Sequence, residues 1–207
     1  MRRLSLAALL LLALGPAATR SADLVDAVLG EADGRIVTAG DVALARALGL
    51  FGLSPSEAAI TTGEVDRMLN AWLVIAEALR LGIAPTPADV EAAWRAAAER
   101  AGGAAELEAW LARVALEPAR ARALVADHQR WRRFIELRFR DFAFVTPDEV
   151  AGALGPGPHT PEAEAAARAR LREAEAERRL AAWLAGRAER AKRVAGADGL
   201  PIPFSMP

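Results

Sequence analysis

Ala151-Gly152-Ala153-Leu154-Gly155-Pro156-Gly157-Pro158-His159-Thr160-Pro161 is the stretch on which the fold turns. Glycine and proline alternate from Gly155 to Pro158, which breaks any helix or strand, so the segment is a loop. It separates two helical blocks, one closing near Val150 and one opening near Glu162, and leaves no room for a folded domain between them. The second block carries an apolar stripe that must be buried, and the first block is its expected partner. The expected layout is a signal peptide at 1–22, an N-terminal module at 23–155, a loop at 156–160, and a C-terminal helix and tail at 161–207 that share the module's core.

Composition points to the all-α class. About a quarter of the 207 residues are alanine, tyrosine and cysteine are absent, and β-branched residues are sparse. A mature chain of roughly 185 residues suffices for one continuous core. The formal net charge of −1 argues against a nucleic-acid partner. Lys192 stands alone beside twenty-five arginines, a bias that a GC-rich coding sequence explains better than phosphate recognition. Without cysteine there is no disulfide framework and no thiolate chemistry.

Met1-Arg2-Arg3, the apolar run 4–14 and Gly15-Pro16-Ala17-Ala18 have the charged start, short apolar stretch and small-residue end of a secretory signal, with cleavage between Ala17 and Ala22. The run is shorter than the roughly 20 apolar residues that span a bilayer. The expected location is the periplasm, with no membrane span after cleavage.

Beyond the leader, Asp26-Ala27-Val28-Leu29-Gly30 and Arg35-Ile36-Val37-Thr38 flank Glu31-Ala32-Asp33-Gly34, which predicts a small β-hairpin. Helix starts follow at Thr38 with Asp41, Thr61 with Glu64, Thr86 with Pro87 and Asp89, Gly103, Glu117 with Pro118, and Thr146 with Glu149. Leu124, His128, Trp131 and Ile135 form one stripe of the helix after Pro118, and Phe134 and Leu137 another, which places that helix at the centre of the bundle. The end of this block, 139–145, reads as extended. From Pro161 the pattern predicts one helix to about Arg193, on the order of 50 Å long, whose second half carries Leu180, Trp183, Leu184, Ala188, Ala191 and Val194. Leu180, Trp183 and Leu184 are expected to pack against the helices that contain Trp72 and Trp131. Residues 22–115 carry twice as many acidic as basic side chains and the later segments are Arg-rich, so a weak, screened attraction favours the same docking.

In this order the elements resemble the SurA-type periplasmic chaperones of the parvulin (PpiC) family. The hairpin with its Thr38-capped helix is similar to the family's opening segment, and 69–87 to its second helix and the turn after it. Trp110 to Val114 and Trp131 to Val150, ending in Val145-Thr146-Pro147-Asp148-Glu149-Val150, match the close of the family's N-terminal module. Residues 179–194 look like the C-terminal helix that folds back on it. The resemblance spans nearly all of the mature chain but lacks the prolyl isomerase domain. It implies an all-α bundle with a small N-terminal hairpin and a long returning helix, acting as an ATP-independent holdase for unfolded secreted or outer-membrane polypeptides. The alternative is a non-catalytic adaptor or structural protein that binds a folded partner or, through the long C-terminal helix, a second copy of itself. A protein with prolyl isomerase ancestry in name only is a distant third.

No side-chain set predicts catalysis. His128 lies on an apolar stripe and His159 in the Gly/Pro loop, and the chain has no His-x-x-x-His spacing, so neither a catalytic residue, a metal nor a cofactor is expected. The run of Glu and Arg from Glu162 onward reads as a solvated helix with ion pairs at i,i+4, such as Glu175 with Arg179. The five tryptophans sit at core spacing. Phe51 and Leu53 in a Gly-rich connection, and Phe142 and Phe144 before a helix cap, have no helical stripe to join; such side chains are either tucked under loops or left as an exposed patch, and the four are expected to line one peptide-binding crevice.

Overall fold

The computed structural model describes residues 26–196, 199–201 and 203; the expected signal peptide at 1–22 lies outside them. Strands β1 (Val28–Ala32) and β2 (Arg35–Thr38) form the hairpin. Its turn is the pair Asp33-Gly34, both left-handed at φ 50° and 79°, the geometry that Asp-Gly supplies in a two-residue hairpin loop. Helices α1 (Ala39–Ala47), α2 (Thr62–Arg80), α3 (Pro87–Arg100), α4 (Ala104–Arg113) and α5 (Pro118–Ile135) follow, then a π-turn, Glu136–Arg140, then α6 (Pro147–Leu154) and α7 (Pro161–Ala185). Capping boxes open α1, α2, α3 and α6 at Thr38, Thr61, Thr86 and Thr146, four of the six starts that the sequence pattern marks.

Two expectations are corrected. The last helix ends at Gly186, so its 25 residues measure about 37 Å. The chain then makes a short 3₁₀ turn, Ala188–Arg190, and strand β3 (Ala191–Arg193), which pairs antiparallel with β1 in the sheet order β2-β1-β3. Ala188, Ala191 and Val194 thus belong to no helical stripe. Gly30 makes the pairing possible: a Cβ there would sit 2.7 Å from the Lys192 carbonyl oxygen. The second correction concerns 139–145. The π-turn carries Phe139 into the interior, and Arg172 and Arg179 of α7 donate to the carbonyls of Ala143 and Phe142 at 3.3 and 2.8 Å, so this segment is not a free extended edge.

The interior has two parts. The larger gathers the hairpin, α1, α2, α3, α4 and the first half of α5 around Trp72, Trp94, Trp110 and Phe51. The smaller joins Val74 and Ala78 of α2, Phe134 and Ile135 of α5, Phe139, Ala143 and Ala176 of α7, with Leu180, Trp183 and Leu184 packed on it. The last helix thus docks on the elements that contain Trp72 and Trp131, and the Trp183 ring lies 5.6 Å from Phe134. Trp131 and Leu184 touch both parts and knit them together. Among the described residues no helix is long and apolar enough to cross a membrane.

Candidate functional site

The four expected crevice residues separate into two pairs. Phe51 and Leu53 are each 3% exposed and belong to the larger core. Phe51 adopts a left-handed backbone, φ 53°, between Gly49 and Gly52, and this turn aims the ring inward. There it meets Trp72, Trp131 and His128 edge-on at 5.7, 5.9 and 5.0 Å. A bulky residue in that backbone region is uncommon and costs energy locally, which burial of the ring offsets. The expectation that Phe51 and Leu53 line a binding crevice is therefore corrected: they are core. Gly49 and Gly52, on both sides of the Leu50-Phe51 pair, are the one sequence signal from which this tight turn could have been found.

Phe142 and Phe144 are 57% and 74% exposed. They lie on a short connection whose intervening residue, Ala143, is fully buried in the smaller core. The backbone between them is fixed: the Ala143 N–H donates to the Arg140 carbonyl at 3.1 Å, and α7 holds the Phe142 and Ala143 carbonyls. At the same core, Ala78 is buried while Leu79 and Leu81, at the end of α2, are about half exposed. Two aromatic rings thus project from an anchored backbone and make a short apolar rim over the smaller core.

The π-turn sets this rim beside two polar clefts. A helix of i,i+5 bonds is rare and concentrates at functional places; here it turns Phe139 inward while Glu136 and Arg140 stay on the surface. A cleft of about 230 Å³ is lined by Pro85, Asp89, Gln129, Arg132, Arg133, Glu136 and Arg140. A neighbour of about 320 Å³ shares Glu136 and Arg140 and extends to Asp141, Arg172 and Glu173. Arg140 bonds Glu173 at 2.5 Å and Glu136 at 3.3 Å, tying the π-turn to α7.

The two histidines serve the fold. His128 stacks on Trp131 at 5.6 Å; burial, with repulsion from Arg132 and Arg100, lowers its pKa to about 4, so it is neutral at pH 7. The His159 Nε2 lies 2.9 Å from the Gly155 carbonyl and closes the 155–160 loop on itself. Among the described residues no group of three His, Asp or Glu side chains is placed to hold a metal ion.

Comparison of the chain with protein-family models, with curated proteins and with solved structures finds no match.

Proposed function

We propose that the protein is a periplasmic, ATP-independent chaperone of the SurA type that lacks an isomerase domain, and that it binds unfolded secreted or outer-membrane polypeptides on the rim formed by Phe142 and Phe144. The observation that carries this reading is two largely exposed aromatic rings on a backbone that hydrogen bonds and a buried alanine hold in place. Apolar side chains of this size are normally buried, and a fixed apolar patch with a polar border marks an interaction surface. An extended chain with alternating aromatic and polar residues, as in outer-membrane strands, suits such a surface. The return of a C-terminal helix, α7, onto the N-terminal elements is in keeping with the chain path that the family resemblance implies, and six residues at 155–160 leave no space for an isomerase between the halves.

The test is suppression of aggregation of a denatured outer-membrane protein at stoichiometric ratios, beside binding to the same protein when folded. A holdase prefers the unfolded form; equal or stronger binding to the folded form would instead favour an adaptor. In a protease-coupled peptide assay the protein leaves the prolyl isomerisation rate at its uncatalysed value of tens of seconds or longer.

A further inference from the structure

We infer that the bound segment is acidic as well as apolar: the cleft beside the π-turn takes a carboxylate side chain of the same extended peptide whose apolar residues lie on Phe142 and Phe144. This inference rests on the peptide-binding reading and specifies its substrate class. The geometry is continuous, since the first cleft shares Arg140 with the second, and the second is lined by Asp141 and by Arg172, whose Nε donates to the Ala143 carbonyl between the two phenylalanines.

Charge bookkeeping in the clefts is uneven in a useful way. The carboxylates of Glu136 and Glu173 are engaged by Arg140; Asp89 is held by the Thr86 N–H and hydroxyl in the α3 cap, with the charges of Arg133 and Arg132 adding a weaker pull that lowers its pKa further. Among the described residues the guanidinium groups of Arg132 and Arg133 have neither an ion pair nor a hydrogen-bond partner, although both line the cleft. Each presents five N–H donors in a planar fork that fits a carboxylate. Asp141, by contrast, has no ion pair among the described residues and stands next to Phe142, which disfavours an acidic residue directly at the rings. The carboxylate therefore belongs a few residues away along the peptide, at the Arg132 and Arg133 end.

The experiment uses three fluorescent peptides of equal length, in which phenylalanines alternate with glutamate, glutamine or lysine, titrated with the whole protein by fluorescence polarisation. The expected order of affinity is glutamate, glutamine, lysine, with the glutamate peptide at least about fivefold tighter than the glutamine one at low salt and the gap narrowing at 0.5 M salt. The double variant Arg132→Gln, Arg133→Gln, at two exposed positions, should melt like the parent and abolish the gap while binding the glutamine peptide unchanged. Equal affinities for the three peptides, or a gap that survives the double variant, would overturn the inference while leaving the apolar reading in place. Failure of all three peptides to bind would overturn both. Displacement of the glutamate peptide by a single-stranded oligonucleotide at similar concentration would also count against it, as the mark of a general polyanion surface.

Discussion

Arg46 is the buried charge of the larger core, 3% exposed, and five hydrogen bonds explain its presence there. Its guanidinium grips Glu64 at 2.6 and 2.5 Å and donates to the carbonyls of Ser56, Ala58 and Ala59, so one side chain fixes the 54–60 connection against α2. Arg46→Met leaves a carboxylate and three carbonyls without their donor and should lower stability by about 3–5 kcal/mol in denaturant unfolding. Partial desolvation raises the Glu64 pKa, but the bonds from Arg46 and Thr61 outweigh it and hold the group at about 2. Its stabilisation is thus present above pH 4.5 and lost as the pH falls towards 2. His128 acts in a higher window. Its ring is neutral in the fold, while the unfolded chain protonates below about 6.5, so stability should fall between pH 6.5 and 4 by up to about 3 kcal/mol. His128→Gln should flatten that part of the stability curve; an unchanged slope would mean that other groups carry it. Phe51→Ala should cost about 3–5 kcal/mol as a core truncation, whereas Phe142→Ser and Phe144→Ser should each change stability by less than about 1 kcal/mol.

The elements show what periodicity can and cannot reveal. Caps and breakers are local chemistry, so Thr38, Thr61, Thr86 and Thr146 marked their helices, and Asp33-Gly34 its hairpin. The end of α7 was hidden, because Ala188, Ala191 and Val194 fit a helical stripe as well as they fit a short strand, and only the free edge of β1 decides between them. That pairing includes a bond from the Val194 N–H to the Leu29 carbonyl at 2.9 Å. Val194→Pro removes it and should destabilise the protein by about 1–3 kcal/mol, a loss that a fraying helix end at this position would not show. For the candidate site, hydrophobic spacing singled out Phe51, Leu53, Phe142 and Phe144 alike, since all four lie outside helical stripes. What separates them is a left-handed turn in one case and a π-turn in the other, and neither is visible in hydrophobic spacing. Trp183 packs against Phe134 and Phe139 with Arg187 over its face at 3.9 Å, but it is only partly buried. Trp183→Ala should therefore cost about 3 kcal/mol, the lower end for a large aromatic, read as a shift of the denaturant midpoint.

At the scale of the whole molecule, two cores share Trp131 and Leu184, and the smaller one is assembled from α2, the end of α5, the connection after it and α7. The apolar rim exists only because that assembly occurs: Ala143 must be buried and its carbonyl held by α7 before Phe142 and Phe144 project from a fixed backbone. The functional account accordingly stands on those two rings rather than on any catalytic group. The measurement that tests it most directly is the affinity of the double variant Phe142→Ser, Phe144→Ser for an unfolded outer-membrane polypeptide, taken beside its melting temperature. Client contact through both rings predicts binding weakened at least about tenfold, a loss of 1.4 kcal/mol or more, with the melting temperature within a few degrees of the parent. Unchanged affinity in a variant that melts normally would contradict the account and place the client elsewhere.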